Sequence, residues 1–193
     1  MPTVIVATGK PGKLHEMQTY LAELGWQLAL KPAEIDVEET GSTFLENARL
    51  KASEVAKATG QWAIADDSGL MVDALDGAPG LYTARYGRND AERIGRLLGE
   101  LTNTEDRTAQ FVCAIALAQP DGTVVAQTEG VCRGEIAAEP RGEGGFGYDP
   151  VFWVPTAQKT FAEMSRSEKD QLSHRGVAFG QLMPELRVIE FTE

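Results

Sequence analysis

The chain has few of the residues on which several large classes of protein are built. Of its 193 residues only two are cysteine and two are histidine. Cys113 and Cys132 have neither C-x-x-C spacing nor clustered histidines, which argues against a zinc site or a disulfide framework and leaves buried free thiols as the expectation. No run of apolar residues reaches the roughly 18 that a membrane helix needs. The N-terminus passes from Met1 and Pro2 straight into Val4-Ile5-Val6 without the zones of a signal peptide, so no membrane association and a cytoplasmic location are expected. Positive charge is scarce as well: 18 lysines and arginines face 29 aspartates and glutamates, a net charge of −11. That balance disfavours nucleic acid or an acidic membrane as the main partner, because both require a broad basic surface. A local group of lysines can still draw in a small anion, since ordinary salt screens charges beyond about 10 Å.

What the chain does have is alternating strand and helix signals. With 42% hydrophobic and 24% charged residues it can bury one sizeable core, or one domain with a small appended lobe. Thr3 to Thr8 is a short apolar strand running into Gly9-Lys10-Pro11-Gly12-Lys13, after which Leu14, Met17, Leu21 and Leu24 recur at helical spacing before Gly25. A second helix is predicted from Thr43, where Thr43-Phe44-Leu45-Glu46 fits a capping box, to Gly60. Trp62-Ala63-Ile64-Ala65 reads as a buried strand delivering Asp66-Asp67-Ser68-Gly69 at its C-terminal end, where open α/β sheets bind ligands. A helix follows over Asn89 to Leu101, then strands over Thr108 to Ala118 and Thr123 to Val131 joined by the turn Pro120-Asp121-Gly122. Phe111, Cys113, Ile115 and Leu117 share one face of the first. A glycine-rich loop over Arg141 to Pro150 precedes a strand at Val151 to Val154, and a last helix is expected to begin near Ser167 and end before Pro184. The order predicts a mixed α/β fold rather than two independent domains.

Several of these segments carry candidate chemistry. Thr8, Gly9, Lys10, Pro11, Gly12 and Lys13, between strand and helix, could cradle phosphate: glycine lets backbone approach, helix amides point at the anion, and lysine adds charge. The segment is not a P-loop, lacking the spacer and the Ser or Thr after the lysine, and an ordinary strand-to-helix turn is an equal reading. Asn47 and Lys51 sit at i and i+4 and place an amide and an ammonium on one helix face, or on a merely solvated one. Asp66 and Asp67 repel each other, and a hard cation such as Mg²⁺ would relieve that repulsion; a polar turn or helix cap is the alternative. Phe146, Gly147, Tyr148 and Asp149 place two aromatics and a carboxylate on a flexible loop, suited to stacking a base and accepting hydrogen bonds from its edge, or form a plain connection. Ser173-His174-Arg175, preceded by Glu168-Lys169, adds donors and positive charge on the last helix.

In this order the motifs closely resemble the inosine triphosphate pyrophosphatase family, which removes noncanonical purine nucleotides. The resemblance is carried by Thr8-Gly9 with Lys13, Glu39-Thr40-Gly41-x-Thr43-Phe44-x-Glu46-Asn47-Ala48, Lys51-Ala52, Ala65-Asp66-Asp67-Ser68-Gly69-Leu70, Gly77-Ala78-Pro79-Gly80, Thr83 to Tyr86, Gly144 to Pro150 and Ser173-His174-Arg175, across roughly residues 4 to 180. It implies a single such domain over residues 1 to 193, a mixed twisted sheet flanked by helices in two lobes around a central substrate cleft. It further implies a homodimer that hydrolyses ITP, dITP and XTP to the monophosphate and pyrophosphate with Mg²⁺. Carried over by position, Thr8 to Lys13 and Lys51 would hold the phosphates, and Glu39 and Asp67 would bind metal. Asp67 would also act as general base supported by Asp66, and Ser68 would touch substrate. Phe146 to Asp149, Lys169, His174 and Arg175 would enclose the base. The chain departs from the family pattern at Lys10 and Asp170, where asparagines are usual.

Overall fold

The computed structural model describes residues 1–191, apart from the side chain of Pro11. Seven strands form one mixed sheet in the order β2-β1-β3-β4-β5-β6-β7. They are β1 (Thr3–Val6), β2 (Gln27–Leu30), β3 (Trp62–Val72), β4 (Thr108–Ala118), β5 (Val124–Ile136), β6 (Phe152–Val154) and β7 (Lys159–Thr160). The helices are α1 (Pro11–Tyr20), α2 (Phe44–Thr59), α3 (Asp90–Glu100), α4 (Arg166–Leu172) and α5 (His174–Leu186). Strand β1 pairs parallel with both β2 and β3, whereas β6 pairs antiparallel with β5 and with β7. Among the described residues no helix is long and apolar enough to cross a membrane.

The chain divides into two compact units, neither of them a continuous segment. The first comprises Met1–Asp67, Cys113–Gly130 and the residues from Ala178 on; the second comprises Ser68–Val112 and Val131–Val177. In the first unit Val4 and Val6 of β1, Trp62 and Ile64 of β3, and Cys113, Ile115 and Leu117 of β4 share a core with Met17 and Leu21 of α1 and Phe179, Leu182 and Leu186 of α5. Tyr20 stacks on Phe179 with ring centroids 4.8 Å apart. Strand residues that alternate with these, Ile5, Ala63 and Ala65, are buried too, because helices cover both faces of the parallel strands. Helix α2 supplies that second cover with its stripe Phe44, Ala48, Ala52, Val55 and Ala56. In the second unit Leu70 and Val72, Leu97 of α3 and Leu101 just after it, Phe111, Phe152 and Phe161 make a separate core, with the Phe111–Phe152 and Phe152–Phe161 rings each 4.8 Å apart.

Helix α2 ends as expected at Gly60, whose left-handed backbone a side chain would disfavour, whereas α1 stops at Tyr20, short of Gly25, which closes a separate 3-10 turn over Ala22–Leu24 in the same left-handed conformation. Four expectations are corrected. The box at Thr43 is only half closed: Thr43 Oγ1 accepts from the Glu46 amide, but the Glu46 carboxylate turns to the Ser42 amide and hydroxyl. Strand β3 does not end at Asp66 but runs on through Val72, and β5 continues past Val131 to Ile136. Both faces of β4 are buried from Phe111 on; of the row that shares one face, Phe111 belongs to the core of the second unit and Cys113, Ile115 and Leu117 to that of the first. The last helical stretch is broken at Ser173, whose extended backbone ends α4 and whose hydroxyl accepts from the Gly176 amide to open α5. Helix α5 then passes through Pro184, which has no amide hydrogen to give to the helix, and ends two residues later.

Candidate functional site

The polar residues of β3 lie mid-strand, and the pleat decides where each goes. Successive side chains point to opposite faces, so Asp66 continues the row of Trp62 and Ile64 on the α1 side, and Asp67 continues the row of Ala63 and Ala65 on the α2 side. The adjacent carboxylates therefore point to opposite faces of the sheet, and each meets a lysine. Asp66, fully buried at its side chain, meets Lys13 Nζ of α1 at 2.9 Å. Asp67 Oδ1 accepts from Lys51 Nζ of α2 at 2.9 Å, and the same ammonium donates to Glu39 Oε1 at 2.7 Å.

Helix α2 holds the Glu39 segment by three grips: Lys51 on Glu39, Asn47 Oδ1 on the Gly41 amide at 2.8 Å, and Glu46 on Ser42. Any side chain at Gly41 would collide with Asn47, its Cβ lying 2.6 Å from Asn47 Oδ1. Asn47 is thus a buried brace for the loop, its amide oxygen engaged by the Gly41 amide. Burial pushes the Asp67 carboxyl above the usual aspartate range, and the Lys51 ammonium beside it reverses only part of that rise. For Lys51 burial pulls the other way, but Asp67, Asp66 and Glu39 outweigh it and hold the amine charged, above the ordinary lysine value.

Three carboxylates and two ammonium groups leave this network one negative charge in excess, and its donors are hard oxygens. Among the described residues no group of three His, Cys, Asp or Glu side chains could hold a metal. A divalent ion could therefore rest on Glu39 and Asp67 alone, with water and substrate oxygens completing its shell, which is how Mg²⁺ is commonly held beside phosphates. The Lys51 ammonium, bonded to both carboxylates, marks where positive charge is accommodated between them. The first loop lies in the same unit. Thr8 Oγ1 accepts from the Lys10 amide, Lys10 is exposed, and Gly9 and Gly12 have open space around them, while Lys13 is turned inward to Asp66. Pro11 opens α1, and its side chain lies outside the described residues.

The second unit gathers the remaining candidates around Phe161, a ring that sequence reasoning missed. Lys169 Nζ donates to Asp149 Oδ2 at 2.6 Å and stands 4.9 Å from the centroid of Phe146 and 5.6 Å from that of Phe161. His174 stacks on Phe111 at 4.7 Å and lies 6.3 Å from Phe161. Arg175 donates to Ser68 Oγ at 3.2 Å. His174 and Arg175 are buried because the break at Ser173 turns the first residues of α5 inward. Asp170, one of the departures from the family pattern, stands 3.8 Å from Arg166.

Two readings of the glycine-rich loop are corrected. Tyr148 does not offer its ring for stacking: it is buried in the core of the unit, and its hydroxyl donates to the Thr83 carbonyl at 3.0 Å. Nor is the loop loose, since Gly144 N donates to Ala162 O, Ala162 N to Asp149 O and Phe146 N to Asp149 Oδ2. Gly145 is required there, its backbone left-handed and its Cβ position only 1.9 Å from Asp149 Oδ2. Of the loop's two rings only Phe146 is exposed, at 51%. Sequence reasoning also missed Asp90, which accepts from the Gly147 amide; Asn89-Asp90 reads simply as the start of a helix.

Comparison with known proteins bears on the family and the fold. Residues 4–185 match the Ham1 family. A protein of Synechocystis sp. named dITP/XTP pyrophosphatase is 63% identical over 191 residues, 99% of this chain and 98% of that one. One of the same name from Nostoc sp. is 63% identical over 183 residues, 95% of this chain and 93% of the other. Among solved structures, a HAM1 protein from Coxiella burnetii superposes with a TM-score of 0.88 at 46% identity, covering 96% of this chain and 98% of its own. The Ham1 protein of Staphylococcus aureus gives 0.86 at 43%, covering 95% and 97%. Nearly end-to-end matches at such identity, on the same α/β scaffold, leave one conclusion: this chain is a member of the Ham1 family.

Proposed function

We propose that the chain hydrolyses noncanonical purine nucleoside triphosphates, dITP, ITP and XTP, to the monophosphate and pyrophosphate, and so cleanses the nucleotide pool. The observation that carries this is Lys51 held between Glu39 and Asp67, a cation-binding carboxylate pair beside a lysine fixed in its charged form. Relatives that are 63% identical and named dITP/XTP pyrophosphatase supply the substrate class. The residues of the first unit, Lys13, Lys51 and the loop from Thr8, take the phosphates; Glu39 and Asp67 hold Mg²⁺. When bound, the ion neutralises charge on the triphosphate and on the departing pyrophosphate. Asp67, its carboxyl raised by burial, accepts the proton of the attacking water, and Asp66 anchors Lys13.

Residues of the second unit read the base. A 6-oxo purine presents an acceptor where adenine presents an amino donor, so the donors of Lys169, His174 and Arg175 favour the former, with Phe146 as the stacking surface. We place residues 1–193 in one catalytic domain, acting as a cytoplasmic homodimer on free nucleotides; sedimentation at the mass of a single chain would remove the dimer. The activity is tested by pyrophosphate release with Mg²⁺ from dITP, XTP, ITP and the canonical triphosphates. Wild type is expected to prefer the first three, and Asp67→Asn to lose turnover while still binding nucleotide. Equal rates on ATP, or robust turnover by the variant, would overturn the assignment.

A further inference from the structure

The exposed Phe146 ring sits at the tip of the glycine-rich loop, which is held both from within the loop and from outside it. The bonds Phe146 N to Asp149 Oδ2 and Asp149 N to Phe146 O close the loop on itself. Gly147 N instead donates to Asp90 Oδ2 at 2.7 Å, across 57 residues of sequence. Gly147 is left-handed, with φ of +63° and nothing within 4 Å of its Cβ position. Asp90 is itself held: its Oδ1 accepts from Arg93 Nη1 at 2.6 Å, and it stands at the first residue of α3, where the helix dipole favours a carboxylate. An ionised acceptor on a backbone amide is among the stronger hydrogen bonds a protein makes. Together with the Asp149 N to Phe146 O bond on the carbonyl of the same peptide, it holds the Phe146–Gly147 plane from which the Phe146 ring projects beside Lys169.

We propose that Asp90 is a positioning residue for base recognition, acting through the Gly147 amide to hold the Phe146 ring in place. The proposal rests on the reading of Phe146, Asp149 and Lys169 as the base-binding set, and it adds a carboxylate that never touches the nucleotide. Asp90→Ala removes both the acceptor for Gly147 and the pairing with Arg93, whereas Asp90→Asn keeps one carbonyl oxygen for Gly147 and gives up the charge and the pairing with Arg93. The contrast between the two variants therefore isolates the amide bond.

Two measurements on the full-length protein test it. With Mg²⁺ and dITP, Asp90→Ala is expected to raise KM about tenfold with kcat little changed, and Asp90→Asn to recover most of the loss. In nucleotide-free protein, hydrogen exchange at the amides of residues 144–149 is expected to accelerate in Asp90→Ala and to stay near wild type in Asp90→Asn. Unchanged exchange at those amides in Asp90→Ala overturns the clamp, whatever the turnover. A fall in kcat at constant KM, or an Asp90→Asn variant no better than Asp90→Ala, overturns its role in recognition. Should wild type release no pyrophosphate from any purine triphosphate, the proposed function falls, and the exchange measurement alone still decides for or against the clamp.

Discussion

At the scale of single residues, the chain resolves buried charge by giving each carboxylate its own partner: Lys13 for Asp66, Lys51 for Asp67 and Glu39. Tyr86 shows the same economy with a neutral group. Burial, joined by the bond from its hydroxyl to the Glu100 carboxylate, pushes its pKa up to about 12, and the guanidinium of Arg96 over its ring tempers the rise. Because the folded value lies above the ordinary tyrosine value near 10, folding favours the protonated form. The stabilisation is complete below about pH 10 and is lost as the pH climbs through about 12. The stability gap between wild type and Tyr86→Phe, measured by urea unfolding, is expected to stay constant from pH 7 to about 9.5 and then to shrink. A gap that widens above pH 10 would mean that the phenolate is the stabilised form.

At the scale of elements, α2 both covers the sheet and builds the site. Its first turn is anchored by Thr43 Oγ1 on the Glu46 amide, and its next turns carry Asn47 and Lys51. Thr43→Ala is expected to cost about 1 kcal/mol in urea unfolding, the usual worth of a side-chain cap. It is also expected to weaken catalysis, because Ser42, Gly41 and Glu39 hang from the same helix end; a variant with lowered stability and unchanged KM for Mg²⁺ would separate the two roles. Residue spacing showed that Asn47 and Lys51 share a face, but not that Asn47 spends its oxygen on Gly41. That follows only from how closely the loop returns to the helix. Strand β3 teaches the same lesson in reverse. Asp66-Asp67-Ser68-Gly69 reads as a turn because polar residues rarely lie mid-sheet, and it is a strand because α1 and α2 deliver lysines to both faces.

At the scale of the whole molecule, the two units are interleaved in sequence, so each core draws on distant segments. The core of the first unit needs Ala178, Phe179, Leu182 and Leu186 from the C-terminal stretch to cover Val6, Met17 and Cys113. A chain ending at Val177 is therefore expected to lose most of its stability, since Phe179, Leu182 and Leu186 at roughly 1.5–3 kcal/mol each sum to about 4.5–9 kcal/mol, against an ordinary net margin of about 5–15 kcal/mol. Circular dichroism and a thermal melt would test it; a cooperative transition in the truncated chain would show that the core closes without α5.

Sequence by itself determined the alternation of strands and helices, most helix ends, the absence of zinc, disulfide and membrane-helix signatures, and the residue types of the site, because these rest on local periodicity, glycine stereochemistry and composition. The family too was legible there, since its motifs are short, ordered blocks. Tertiary structure alone decided which carboxylate meets which lysine, that Tyr148 is core whereas Phe146 is surface, that Phe161 joins Lys169 to His174, and that Asp90 reaches Gly147. Each of those is a contact between segments far apart in the chain. No local pattern encodes such a contact; only the pleat of a strand and the packing of helices on it bring the partners within bonding distance.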